Sequence, residues 1–286
     1  MPTLTYLQFH LVFLGLPLLA LAVAAARGVT LLGPRTATPA VRLAGRAVDA
    51  RALGVLVMAV LALVYTTPWD SYLIQRGAWR YGEGTVLARL FAVPLGEYLF
   101  FVAQTVLTAL WLYLLPAGPP TRPVRADGGG AGGRRAPGRG PDGVSGMVAA
   151  PAAAVTVGQR ALGAGAAGLV ALGGWLVLGT DGGLYLGTLL LWAAPVLAIQ
   201  WAFGWPYLWL RRRVVALGVA VPTLYLWLAD RVALALGVWE LSTVHTTGDA
   251  VPLLGLPVEE AAFFLLTNLF LVQGLVLWLW VAEEWP

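Results

Sequence analysis

The sequence predicts an all-α integral membrane protein. About seven transmembrane helices are expected, arranged as two parallel three-helix repeats plus one linking helix. Three observations carry that prediction. Of the 286 residues, 59% are hydrophobic and only 11% charged, against roughly 25% charged in an ordinary soluble domain, and the mean hydropathy is +0.78. Charge-free intervals of spanning length recur along the chain. Rare residues of the first half return in the same order in the second.

Besides 143–159, which is rich in Gly, Pro, Ser and Ala and is read as linker, the charge-free intervals of spanning length are 1–26, 52–69, 98–121, 161–180, 182–210, 214–229 and 261–282. Roughly 20 apolar residues are needed to cross the hydrocarbon core, so each is read as one span. In the shortest, 214–229, Arg213 and Asp230 can snorkel at the ends. The first span lacks a positive n-region and is longer than a usual signal-peptide core, so it is read as a retained helix despite Ala24-Ala25-Ala26. Residues 116–160 shift to Gly, Pro, Ala and Arg, a composition that buries too little apolar surface to order itself, and are read as a disordered cytoplasmic linker. The expected units are a first repeat over 1–115, this linker, a linking span over 161–181 and a second repeat over 182–286.

All 18 basic residues are Arg, and the chain has neither Lys nor Cys. Without Cys there is no disulfide framework, thiolate metal site or Cys nucleophile. Without Lys there is no Schiff base, which excludes a retinal-binding opsin, and no P-loop cation. Seven spans put Arg27, Arg35, Arg42, Arg46 and Arg51, six Arg of the linker region and Arg211–Arg213 on one side. Arg76, Arg80, Arg89 and Arg231 fall on the other. By the positive-inside rule this is a multi-pass protein of the cell membrane, amino terminus outside and carboxyl terminus cytoplasmic. It also accounts for a basic pI without nucleic acid.

An offset of 160 aligns Arg51 with Arg211, Tyr65 with Tyr225, Asp70 with Asp230, Gly77 with Gly237 and Trp79 with Trp239. With three extra residues in the second loop, Pro94-Leu95-Gly96-Glu97 aligns with Pro257-Val258-Glu259-Glu260, and Phe100-Phe101 with Phe263-Phe264. The linking span returns the second half to the starting side, so the repeats are expected to be parallel. Pro94 and Pro257 suit a first helical turn, which places Glu97 and Glu260 in that turn. Phe101 and Phe264 lie at i+4, and Thr105 and Asn268 at i+8, on one helix face running into the membrane. An intramembrane carboxyl is costly and marks a functional site by default. The plainer alternative is an interfacial Glu favoured by the helix dipole and paired with Arg89 or Arg231. Asp70 and Asp230 are read as opening the polar loops after each second span, and Trp69, Trp79 and Trp239 as aromatic lining or belt residues. Glu259, about 100° around the helix from Glu260, is read as supporting its neighbour.

Other signals carry less. Gly163-Ala164-Gly165-Ala166-Ala167-Gly168 spells G-x-G-x-x-G, but inside a span, where small residues serve close helix packing. His10 and His245 fall in different halves and form no ligand pair. No D-D-x-x-D cluster is present, so no metal is assigned, although Asp and Glu of both halves leave a carboxylate metal site open.

Pro68-Trp69-Asp70-Ser71-Tyr72, Gly77-Ala78-Trp79 and Pro94-Leu95-Gly96-Glu97-Tyr98-Leu99-Phe100-Phe101 resemble the amino-terminal half of the membrane-embedded lycopene β-cyclase family. Gly237-Val238-Trp239 and Leu256-Pro257-Val258-Glu259-Glu260-Ala261-Ala262-Phe263-Phe264 resemble its second half. In that family the halves are two small polypeptides in actinobacteria, fused in archaea and some bacteria, and joined to phytoene synthase in fungi. The family usually reads P-x-E-E in both halves, and here Gly96 stands for the first Glu. The resemblance implies redox-neutral cyclisation of the ψ ends of lycopene to β-ionone rings, with a carotenoid substrate, a lipid bilayer around it and no cofactor. Such chemistry suits Glu97, Glu260, Glu259, Asp70 and Asp230 as catalytic candidates. Trp69, Trp79, Phe101, Thr105, Trp239, Phe264 and Asn268 are the candidates for holding substrate. Alkene protonation needs a neutral acid in an apolar site, where desolvation raises a carboxyl pKa. A non-enzymatic carotenoid- or lipid-binding carrier using the same cleft is the alternative. One cleft shared between the halves is preferred; ring number and oligomeric state stay open.

Overall fold

The computed structural model describes residues 4–32, 38–115 and 155–284. Among the described residues seven helices are long and apolar enough to cross a membrane: α1 (Tyr6–Ala26), α2 (Ala50–Arg76), α3 (Leu95–Leu114), α4 (Val157–Leu178), α5 (Leu184–Leu210), α6 (Arg212–Ala235) and α7 (Val258–Glu284). Short antiparallel pairings occupy the connections: β1 (Ala40–Leu43) with β2 (Arg46–Asp49), β3 (Trp79–Tyr81) with β6 (Trp239–Leu241), and β4 (Arg89–Leu90) with β5 (Val93–Pro94). Most of the expected linker lies outside the described residues. Its last residues belong to α4, which starts at Val157 behind a Thr156–Gln159 capping box.

Two helix ends differ from the sequence reading. Asp70 and Asp230 do not open loops: α2 runs on to Arg76 and α6 to Ala235, and both aspartates are buried inside them. A charge ends an apolar run in the sequence, but neighbouring helices enclose these two aspartates, and Pro68 is tolerated within α2 as in many membrane helices. Pro94 is the N-cap of α3, one position before the first turn.

Gly77 closes α2 and Gly237 closes α6, both with positive φ (74° and 65°), a conformation only glycine adopts cheaply. The closing bonds match: Ala78 N–H to Leu73 O and Val238 N–H to Ala233 O, both 3.0 Å. The caps turn the chain into β3 and β6, which pair with each other so that Arg80 faces Glu240, Trp79 faces Leu241 and Tyr81 faces Trp239.

Within the first half α1 and α2 pack on α3; within the second, α5 and α6 pack on α7. The halves meet where α2 touches α7, α6 touches α3 and α3 touches α7. Side-chain amides and hydroxyls bind this central seam: Gln104 Nε2 donates to Thr267 Oγ1 (2.8 Å), Thr108 Oγ1 to Asn268 Oδ1 (2.7 Å), and Asn268 Nδ2 to Thr223 Oγ1 (3.1 Å). Such bonds suit an apolar surround that cannot drive helices together by burial alone.

Helix α4 lies along α5 at glycine contacts. A Cβ on Gly163 would fall 2.5 Å from Trp201 O, and one on Gly174 2.9 Å from Gly187 O. Gly165 and Gly168 face open space. The glycine-rich string is therefore in part a packing surface.

Candidate functional site

The amino-terminal ends of α1, α3, α5 and α7 and the carboxyl-terminal ends of α2 and α6 meet at one end of the bundle. There they enclose a cavity of about 60 Å³. Asp70 from α2, Glu97 from α3, Asp230 from α6 and Glu260 from α7 all line it, so the two halves contribute one Asp and one Glu each. Asp230 is 1% exposed and Asp70 3%.

Tyrosines orient the glutamates. Tyr6 OH donates to Glu97 Oε1 at 2.6 Å and Tyr81 OH to the same oxygen at 2.8 Å. Tyr81 in turn accepts from Trp79 Nε1 at 2.8 Å. Burial, then the Glu97 charge, pushes the Tyr81 phenol well above its ordinary range, so it stays a donor. In the second half Tyr185 OH donates to Glu260 Oε1 at 3.2 Å. The aspartates are less well served: Asp70 Oδ2 and both oxygens of Asp230 have no hydrogen-bond partner, although Trp239 faces Asp230.

Among the described residues no arginine lines the cavity. Arg89 lies over the Tyr81 ring at 5.2 Å and donates to Ala92 O, and Arg231 donates to Leu254 O, so neither forms the ion pair of the interfacial alternative. Charge in such a place is expensive, and a protonated carboxyl is the form an apolar wall accepts. Among the described residues no three His, Asp or Glu side chains are grouped to hold a metal ion.

The wall is aromatic. Trp69 stacks between Trp192 (centroids 5.0 Å) and Phe263 (5.9 Å, rings 7° from parallel). Phe100 meets Phe264 edge-on at 5.9 Å. Phe101, Trp79 and Trp239 complete the enclosure.

Beside the cavity, and sharing Thr66, Phe101 and Phe263 with it, runs a groove of about 470 Å³ between α2, α5 and α7. The cavity alone falls well short of the 300–1,000 Å³ usual for a small-molecule site, whereas the groove lies within that range.

No protein-family model matches the chain, and no solved structure does. Among characterised proteins it is 45% identical over 285 residues to the "Lycopene beta-cyclase" of Halobacterium salinarum, covering 99% of both chains. The chain belongs to the lycopene β-cyclase family. It is also 34% identical over 238 residues to a "Bifunctional lycopene cyclase/phytoene synthase" of Arthroderma gypseum, and 34% over 221 residues to that of Gibberella fujikuroi. These matches span 77% and 76% of this chain but 35% and 33% of the longer relatives.

The candidate residues fall into three groups. Asp70, Asp230, Glu97, Glu260, Trp69, Trp79, Trp239, Phe101 and Phe264 line the carboxyl cavity. Thr105 lines the groove. Glu259 and Asn268 line neither. Glu259 Oε1 accepts from Thr247 N–H (2.7 Å) and Thr247 Oγ1 (2.9 Å), anchoring the loop before α7, while Asn268 is held in the interhelical seam. Asn268 follows from spacing along one helix, which does not say what the neighbouring helices present, whereas Glu259 follows from its place beside Glu260.

Tyr6, Tyr81 and Tyr185 escaped the sequence reading. A signal for two of them existed. The first helices repeat with an offset of 179, not 160: Tyr6 and Tyr185 make the equivalent bonds to Glu97 and Glu260, and Tyr225 OH reaches Phe13 O as Tyr65 OH reaches Trp192 O.

Proposed function

We propose that this chain is a lycopene β-cyclase: it converts the ψ ends of lycopene to β-ionone rings by acid-initiated, redox-neutral cyclisation. The observation that carries the reading is the convergence of four carboxyl groups, two from each half, in one aromatic-walled cavity with no arginine in its lining. A carboxylic acid adds a proton to the terminal double bond and leaves a tertiary cation. The next double bond attacks that cation, closing a six-membered ring and moving the charge into it. A carboxylate then removes a ring proton, restoring a carbon–carbon double bond. One proton enters and one leaves, so no oxidant, reductant or cofactor is consumed.

The hydrogen bonds divide the roles. Two phenols on Glu97 Oε1 stabilise its carboxylate, which suits a proton acceptor. Glu260 takes one longer bond and is the proton donor. Asp70 and Asp230, beside them, exchange protons with the glutamates. Trp69, Phe101 and Phe264 present π faces that stabilise a cation without capturing it, and enclosure keeps water from trapping it as an alcohol.

The parallel three-helix repeat with one linking helix belongs to this proposal. Matched glycine caps, the self-paired β3–β6 strands and the matched Tyr–Glu bonds support it. On the Arg distribution, which makes the Arg-rich ends cytoplasmic, the carboxyl cavity lies toward the outer face.

Expression in a lycopene-accumulating host tests the function. Pigment is expected to shift from red lycopene to yellow-orange cyclic carotenes. Unchanged lycopene beside intact membrane-inserted protein overturns the reading in favour of a carrier.

A further inference from the structure

The groove beside the carboxyl cavity has a direction. It follows α7 from Phe263 to Val281, about 27 Å at ~1.5 Å per residue. Its rims, Leu61 on α2 and Ile199 on α5, are 53% and 71% exposed, so it opens sideways to the lipid. Its polar side chains are mostly turned to the protein itself. Tyr65 OH donates to Trp192 O, Thr105 Oγ1 to Phe101 O, and Gln200 Nε2 to Phe270 O. What remains for an occupant is hydrocarbon and aromatic surface, long, narrow and ending at the acids. A linear polyene fits this surface; a polar headgroup would find few free partners.

The other half should carry a second groove if the repeat were exact. Its counterpart positions follow from the offsets of 160 for the second helices, 163 for the third and 179 for the first. Thr66 of the open groove corresponds to Leu226, which is 2% exposed. Gly274 corresponds to Trp111, whose Nε1 crosses to Leu217 O on α6 at 2.9 Å. Thr105 corresponds to Asn268, tied to Thr223 of α6. At these three positions the second side has the larger or cross-linked residue, and at Gly218, the counterpart of Met58, a Cβ would already lie 3.0 Å from Val272 and 3.2 Å from Leu112.

We infer that the α2–α5–α7 groove seats the polyene chain of the substrate, and that among the described residues this seat is one-sided. Each ring is then made in a separate binding event: the monocyclic carotene withdraws into the lipid, and its unreacted end must enter by the same groove. Thr66, Phe101 and Phe263, common to groove and cavity, form the passage for the end group. The inference rests on the cyclase reading for its two-ring consequence but not for the seat itself.

Matched double variants test it. Leu61→Trp with Ile199→Trp narrows the groove from both rims. Val221→Trp with Ala20→Trp makes the same change at the counterpart positions, which are also exposed. Two readouts are taken: lycopene retained per protein through detergent purification, and the order of products in membranes supplied with excess lycopene. The groove variant is expected to retain about tenfold less lycopene than the wild type, and the counterpart variant an unchanged amount. Monocyclic carotene is expected before any bicyclic one, or alone. Wild-type retention in the groove variant, or equal loss in both variants, overturns the seat and leaves the groove to membrane lipid. Bicyclic carotene in the first turnovers without free monocycle overturns the one-sided reading. Groove-dependent retention with no ring formation by the wild type would sink the cyclase reading while the seat stands.

Discussion

Glu97 and Glu260 occupy the same place in the third helix of each half, yet their neighbours differ by one residue with large consequences. Before Glu260 stands Glu259, which reaches back to Thr247 and ties down the loop entering α7. Before Glu97 stands Gly96, and the Tyr6 ring fills the space a side chain would need: a Cβ there would lie 2.3 Å from a ring carbon. The first half has exchanged a loop anchor for a closely seated tyrosine. As a result Glu97 holds two short phenolic bonds and Glu260 one longer bond. The two carboxyls match in helix position and differ in what packs around them.

Removing either carboxyl strikes the comparison hardest. Glu260→Gln and Glu97→Gln each keep the shape and lose the proton-carrying group, and ring formation from lycopene is expected to fall about 10³-fold, within the range of general acid–base catalysis. Equal cyclase activity in both variants at matched membrane expression would remove the glutamates from the mechanism. Asp230→Asn and Asp70→Asn are expected to cost less, about tenfold, if they only exchange protons with the glutamates. An aspartate variant as inactive as Glu260→Gln would move the donor role to that aspartate.

The acids were legible because membrane burial makes charge rare: each carboxyl in a span had to be explained. Their partners were not. Tyrosine is common in apolar helices, and Tyr6 and Tyr185 repeat at an offset that the loops and the linking helix have shifted. The helix ends beyond Asp70 and Asp230 were misjudged for the same reason that the acids were found. A buried charge in an unaligned sequence looks like the end of a span. Thr105 and Asn268 share a register position but not a fate: one faces the groove, the other the interhelical seam. Helix periodicity supplies a face; which neighbour covers that face is a tertiary property.

Intermediate effects should separate the two tyrosines. A hydrogen bond to a charged group contributes about 1.5–3 kcal/mol and a neutral one about 0.5–1.5 kcal/mol. If Glu97 works as a carboxylate, Tyr6→Phe is expected to slow ring formation by about tenfold or more. Tyr185→Phe, acting on a protonated Glu260 at 3.2 Å, is expected to cost only a few-fold. The reverse order would exchange the donor and acceptor assigned to the two halves. Gly96→Ala reaches the same bond by crowding: Tyr6 is packed against Trp239 and His10 with centroids 5.3 and 4.4 Å away, so it has little room to retreat. It is expected to match or exceed Tyr6→Phe, and wild-type activity in Gly96→Ala would show that the close fit has no bearing on Glu97.

The smallest effect is expected at Glu259, and it is the sharpest check on the comparison because the family motif alone would rank it beside Glu260. Gln at 259 can still accept from the Thr247 amide and hydroxyl, so Glu259→Gln is expected to cyclise lycopene within about twofold of the wild type. Glu259→Ala leaves that part-buried amide without its acceptor, at a cost of about 1 kcal/mol, and the loss should appear locally as faster hydrogen exchange at Thr247. Activity should follow loop order rather than charge: Gln retains both, Ala weakens both together. If Glu259→Gln instead abolishes ring formation while Thr247 exchange stays slow, the residue carries a proton and the second half holds two working acids where the first holds one.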